Sequence, residues 1–358
     1  MESNKRLDIE LMRILAAYFV IFNHTGNTGF FLFSQYDSHS IQYWIYLFIS
    51  VFCKFSVPLF FMIAGSLMLN RKPEPIKRLW FHRIFHIFCI LVIWSFAYYI
   101  VELKRGNETF NLFHFFSRLY DSNWNGSYWY LYAYLSFLIS LPLLQRIAKS
   151  LLDKEYSYIL LLYIVFVMCI PSIQYLLFQG RHSLNGNVSV GWLTSNIVIY
   201  PFIGYFLTYR LHNFWNKKKL LILWLVNIGT ILLSSYLTYY RAKIMGVCDE
   251  GSSQAFHMTF VLVNCVAVFA TCQYLNEHSK LSRVKKIITS CGGCTLGIYL
   301  LHIFLKDYIS WNFWPIFQGK VYISPMIDVL LFCVSVFLCG YVITAVLKRI
   351  PLLRKLVS

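Results

Sequence analysis

The sequence predicts an all-α fold: a polytopic bundle of about ten transmembrane helices with both termini cytoplasmic, and three observations predict it. Of 358 residues, 58% are hydrophobic and 19% aromatic, only 13% are charged, and the mean hydropathy is +0.57, a balance that water-soluble domains do not reach. Apolar runs of the roughly 20 residues that cross a bilayer recur at 9–27, 43–69, 79–101, 127–147, 156–178, 192–209, 220–240, 256–275, 288–310 and 324–347. Basic residues alternate between their connections, 21 of the 32 lysines and arginines falling in the N-terminus and every second loop against 8 in the others, which puts the richer set inside the cell. No loop is long enough for a separate soluble domain, so residues 1–358 read as a single membrane domain. The net charge of +17 sits in short loops rather than on a basic face with interleaved aromatics, which argues against a nucleic-acid partner. The ten cysteines show no secreted-type spacing and read as free thiols.

The first span carries Arg13 and His24. An ionised side chain is costly at membrane depth and usually faces a cavity or a partner. They are eleven positions apart, about three turns, so both project from nearly one face, about 16 Å apart along the axis. The segment starts basic and then turns apolar, as a signal peptide does. However, Asp8 and Glu10 interrupt its front and no Ala-x-Ala-like site closes it, so a retained first helix is expected.

The second span contains Ser56-Val57-Pro58-Leu59-Phe60-Phe61-Met62-Ile63-Ala64-Gly65-Ser66. This pattern suits a proline kink beside a pocket and, equally, close helix packing through small residues. The basic stretch RKPEPIKRLWFHRIFHI follows, with Lys77, Arg78, His82, Arg83 and His86 converging at the mouth of the third span. Guanidinium groups pair with phosphate in bidentate fashion, so Arg78 and Arg83 are candidate anion ligands. Arg71 and Lys72 read as topology signals and contacts for anionic lipid headgroups. Three cations, Arg13, Lys54 and Arg83, fall inside spans.

The connection Glu102 to Ser127 is rich in aromatic residues, which favours an interfacial piece roofing a site from outside. The loop GRHSLNGNVSVGW is polar and suited to contact a polar acceptor. Gly126-Ser127-Tyr128-Trp129-Tyr130-Leu131 opens the fourth span, and CGGCTLGIYLLH from Cys291 to His302 opens the ninth. The C-x-x-C lacks the electropositive, partly exposed setting that redox work needs. Tyr299 and His302, three residues apart, share one helix face. No histidine pair with a glutamate base and no cysteine cluster has zinc spacing, so no metal is expected.

In chain order, Leu7-Asp8-(x4)-Arg13-(x10)-His24, Val57-Pro58-Leu59-Phe60-Phe61-(x3)-Gly65, the basic entry Arg78 to Arg83, Tyr128-Trp129-Tyr130-Leu131 and Gly297-Ile298-Tyr299-Leu300-Leu301-His302 resemble the acyltransferase-3 family of integral membrane acyltransferases. The resemblance runs from the first helix to the Ile350-Pro351-Leu352-Leu353 tail. It implies a multi-pass protein of the bacterial cytoplasmic membrane. Such a protein moves an acyl group from cytoplasmic acyl-CoA, acetyl-CoA first among donors, to a hydroxyl of an extracytoplasmic glycan. Peptidoglycan, O-antigens and exopolysaccharides are the acceptor class. Under this resemblance Arg13, Arg78 and Arg83 hold the coenzyme A phosphates, and His24 is the catalytic residue, as general base or as acyl relay. Trp129, Tyr299 and His302 orient His24 or shape the acceptor channel. Tyr128 stands where many relatives carry histidine, and Ala64 where serine is common, which leaves the acceptor open. A rival resemblance, to the membrane domain of vancomycin-resistance membrane-bound serine racemases, implies serine transport. A third reading is a structural, lipid-binding membrane protein. Whether the chain forms a homo-oligomer is left open.

Overall fold

A computed structural model describes residues 6–246, 256–278 and 281–357. Lys5 and Lys280, counted above among the basic residues, lie outside the described residues. All regular structure among the described residues is helical. The main helices are α1 (Leu7–Asn23), α2 (Ile41–Cys53), α3 (Ser56–Met68), α4 (Ile76–Lys104), α5 (Leu112–Asp121), α6 (Trp129–Ser150) and α7 (Asp153–Phe178). They continue with α8 (Ile199–Tyr209), α9 (Lys217–Met245), α10 (Val261–His278), α11 (Lys285–Gly293), α12 (Thr295–Phe313) and α13 (Pro325–Leu347).

Among the described residues, six helical stretches are long and apolar enough to cross a membrane: Ile41–Met68, which joins α2 and α3, then α4, the stretch Gly126–Ser150 around α6, α7, α9 and α13. The pair α11 and α12, bent by 62°, makes a seventh. The ninth expected span is therefore broken, with Cys294 at the bend donating its backbone N–H to the Cys291 carbonyl at 2.9 Å. The C-x-x-C forms this turn, and no disulfide joins its two thiols.

Three stretches expected to span are helical but shorter or less apolar. Helix α1 has 17 residues, α8 has 11, and α10 has 18 and carries Asn264, Gln273, Asn276 and Glu277. Their position gives the physical reason. All three are packed mainly against protein, so their outer surfaces need not match lipid, whereas the peripheral helices must. Leu221, Leu225, Ile228 and Leu232 form an exposed stripe along α9, and Ile327, Leu331, Val334, Leu338 and Val342 form one along α13, each at helical spacing.

Helix α1 stands at the centre. It packs against α2, α3 and α10 to α13 and contributes to all three apolar cores. Ile9, Met12 and Ala16 enter the core shared with α3, α6, α7, α8 and α10. Ala17, Ile21 and Phe22 enter the core with α2 and α13. Val20 enters the third, with α4, α5, α6 and α12. Beyond its end, Thr25 Oγ accepts from the Phe30 N–H at 2.9 Å and donates to the Phe22 carbonyl at 2.7 Å, folding the next segment back over the helix.

Small residues set the closest approach in the bundle. A Cβ at Gly65 of α3 would fall 2.0 Å from the Pro201 carbonyl oxygen, and one at Gly204 of α8 would fall 2.0 Å from the Met62 carbonyl oxygen. The two backbones thus touch reciprocally, as small-residue pairs permit in membrane helices. Gly204→Ala is expected to cost about 1–3 kcal/mol through overpacking, lowering the detergent-solubilised Tm by several degrees. Gly229→Ala is the control: nothing lies within 4 Å of its Cβ, so thermal unfolding should be unchanged or slightly raised, by at most about 1 kcal/mol of helix propensity.

Candidate functional site

The centre of the bundle holds two cavities, one toward each end of α1. The first, of about 420 Å³, is lined by Arg13, Arg71 and Arg83, by Phe60, Tyr130 and Tyr134, and by the α11–α12 turn with Tyr299. Glu10, one turn before Arg13, pairs with it at 2.9 Å. Glu74 pairs with Arg83 through two hydrogen bonds. Arg83 sits in a π-helical turn, Leu79–Ile84, at the start of α4; such turns recur at functional sites. The Tyr134 side chain lines this cavity together with all three arginines. A Cβ at Gly292 would fall 2.3 Å from the second Glu10 carboxylate oxygen, so glycine lets α11 close onto α1 beside the Arg13–Glu10 pair.

The structure brings Arg13 and Arg83 to one cavity, while Arg78 is exposed and lies outside its lining. Arg71, read from the sequence as a topology residue, lines the cavity. Only folding shows this, because the chain reverses between α3 and α4 and turns Arg71 back over the site. Glu10 had a legible signal, its three-residue spacing from Arg13 on a helix.

The second cavity, of about 240 Å³, is lined by Val20, Asn23, His24, Phe30, Phe31, Lys54, Val57, Pro58, Trp129 and Met258. His24 follows Asn23 as the C-terminal cap of α1, so its ring stands where the helix gives way to a turn. His302 lies beside it, with ring centroids 5.2 Å apart. His302 is fully buried, and its Nδ1 lies 2.5 Å from the Tyr299 carbonyl, a geometry in which Nδ1–H donates. Its Nε2 has no hydrogen-bond partner among the described residues. The Tyr299 hydroxyl donates to the Ser127 carbonyl at 2.5 Å, and Ser127 is fixed by Asn125 at 2.9 Å. Tyr299 and His302 are thus tied to the entrance of α6, which also delivers Trp129 to the cavity.

Two further residues here were not singled out from the sequence as site residues. Asn23 donates to Ser56 Oγ at 2.8 Å, and Lys54 lies over the Phe30 ring at 4.4 Å from its centroid. The helix break falls at Lys54–Phe55, between α2 and α3. Pro58 occupies the first turn after the break, where its missing N–H costs nothing, and lines the cavity. The aromatic helix α5 packs Phe115 and Leu119 onto Tyr99 and Trp124 and contributes to neither cavity lining. The segment after His24, through Phe30 and Phe31, supplies that lining instead.

A pocket with three guanidiniums suits an anion of several phosphate charges. A pocket with an imidazole at its wall suits proton transfer or acyl capture near neutral pH. A family model described as an acyltransferase domain, that of the acyltransferase-3 family, matches residues 6–345. No curated protein and no solved structure matches the chain.

The geometry orders the reactivity of the buried histidines. Diethyl pyrocarbonate should modify His24, which faces a cavity, ahead of His302 and His257, which are 0% and 1% exposed. Peptide mass spectrometry over a time course checks this; simultaneous labelling of the three would contradict it.

Proposed function

The chain belongs to the acyltransferase-3 family, and from that premise we propose that this multi-pass membrane protein transfers an acyl group, acetyl first among donors, from acyl-coenzyme A to a hydroxyl of an extracytoplasmic glycan in the bacterial envelope. The observation that carries the reading is a single helix, α1, with Arg13 in one cavity and His24 in another. Arg71, Arg83, Lys149 and Lys348 gather at the Arg13 end: Lys149 bonds the Arg71 carbonyl and Lys348 the Gly293 carbonyl. This supports a cytoplasmic position for that end.

In this reading the donor's phosphates sit against Arg13, Arg71 and Arg83, with Arg78 exposed at the rim. The pantetheine arm points along α1, and the thioester approaches His24. In the direct route, His24 takes the proton of the acceptor hydroxyl as the oxygen attacks the thioester carbonyl. The C–S bond then breaks and the proton returns to the leaving sulfur. In the relay route, the His24 ring nitrogen attacks the thioester carbonyl and the C–S bond breaks to release the coenzyme A thiolate; the acceptor oxygen then attacks the acyl carbon, the C–N bond breaks, and the hydroxyl proton passes through the freed imidazole to the thiolate. Both routes need His24 as the neutral imidazole. Tyr299, His302 and Trp129 position His24 and bound the acceptor's side of the site.

Proteoliposomes supplied with labelled acetyl-coenzyme A at the Arg13 face test the assignment. His24→Ala is expected to abolish acyl transfer while leaving coenzyme A binding within about threefold. Full transfer by this variant would overturn the role of His24. Serine counterflow without coenzyme A would favour transport instead.

The cationic cavity makes a separate prediction, measured by calorimetry with coenzyme A. Arg71→Ala and Arg83→Ala should each weaken binding about 10- to 100-fold, the worth of a charged hydrogen-bonded contact. Lys217→Ala removes one positive charge near the same end but outside the cavity, and should change affinity less than about twofold. Equal losses in all three would reduce the arginines to a topology signal.

A further inference from the structure

The two cavities share no lining residue, yet α3 and α6 serve both from neighbouring positions, and α12 lines one and abuts the histidine of the other. On α3, Val57 lines the His24 cavity, and Phe60, one turn on, lines the arginine cavity. At the start of α6, Trp129 lines the first and Tyr130 the second. On α12, Tyr299 lines the arginine cavity while His302 stands beside His24. Along α3 the two linings are therefore about one helical turn apart, roughly 5 Å.

The wall between the cavities is a continuous run of rings. Phe60 meets Tyr130 at 5.8 Å between centroids, Tyr130 meets Tyr299 at 5.6 Å, Tyr299 meets His302 at 5.7 Å, and His302 meets His24 at 5.2 Å. Its members differ in how firmly they are held. Tyr299 is tied through its hydroxyl to Ser127. Tyr130 is wedged between Phe61, at 5.1 Å, and Tyr134, at 6.0 Å. Phe60 has no polar group to anchor it, is only partly buried, and touches all three apolar cores. Phe60 is thus a member of this run whose displacement would break no hydrogen bond.

We propose that Phe60, backed by Val57, sets the acyl-chain length of the transferred group. The inference rests on the acyl-transfer reading above and deepens it. The acyl group is the leading end of the donor, so it enters the wall ahead of the thioester carbonyl. An acetyl group adds one methyl beyond that carbonyl. A longer chain must run on into the 240 Å³ His24 cavity, which the acceptor hydroxyl also occupies. Phe60 is a specificity-determining residue in this scheme, and the discrimination comes from steric exclusion at the wall.

The test is a donor series of acetyl-, butyryl-, hexanoyl- and octanoyl-coenzyme A presented to the full-length protein in proteoliposomes. A soluble N-acetylglucosamine oligomer is the hydroxyl probe on the opposite face, and mass spectrometry identifies the acyl product. The wild type should transfer acetyl at least about tenfold faster than hexanoyl, at the low end of what a tight apolar pocket gives per misplaced methylene. Phe60→Ala should bring that ratio to within about threefold, and Phe60→Leu should fall between. Equal wild-type rates across the series, or an unchanged ratio in a folded Phe60→Ala protein, would overturn the inference. Calorimetry separates it from the reading it rests on. If coenzyme A binds but no donor is turned over, the transfer reading fails, and the binding ratio of octanoyl- to acetyl-coenzyme A decides the wall. Phe60→Ala should raise the relative affinity for octanoyl at least about threefold, and an unchanged ratio would count against the proposal.

Discussion

The constraint on which the architecture depends is the shielding of α1. A helix that carries Glu10, Arg13, Asn23 and His24 through an apolar bundle cannot face lipid on any side, because each uncompensated polar group at that depth costs several kcal/mol. The fold meets this by surrounding α1 with α2, α3 and α10 to α13 and by drawing all three apolar cores onto it. The same demand explains the glycines. Gly292 lets α11 reach the Glu10 side chain, and Gly65 with Gly204 brings α8 against the back of α3.

Much of this was legible in the sequence, and the remainder has definable causes. Composition and run length disclosed the all-helical membrane bundle, and the match over residues 6–345 agrees with the resemblance carried by Arg13, His24, Tyr299 and His302. Hydropathy marked α1, α8 and α10 as apolar but could not show that they lie inside, since a helix buried in protein and one buried in lipid look alike over a short window. Of the two readings open for the second span, close packing at Gly65 and a pocket beside Pro58 both appear, whereas the break falls at Lys54–Phe55, because proline in a first helical turn disturbs nothing. Arg71 was read as a loop charge because its part in the site depends on the chain reversal between α3 and α4. The tie between Tyr299 and Ser127 crosses 172 residues and leaves no trace in local spacing.

The arginine cavity is organised by its own carboxylates. Arg13 and Arg83 are held by Glu10 and Glu74, whereas no carboxylate lies within ion-pair distance of Arg71 among the described residues. An anion drawn to this cavity would meet Arg71 without displacing a carboxylate, and would compete with carboxylates at Arg13 and Arg83. Such an arrangement keeps the empty site close to neutral, so that three cations can be maintained together in an apolar setting.

The thin wall between the cavities has an electrical consequence. If both chambers are wet, the membrane voltage falls mainly across one helical turn instead of the full hydrocarbon width, and any charge carried through would meet that whole drop, about 2.3 kcal/mol per unit charge per 100 mV. In the proposed reaction coenzyme A, with its phosphates, would stay on one side and only an uncharged acyl group would pass. Its export would then be decoupled from the membrane potential and would leave the ion gradients of the cell intact.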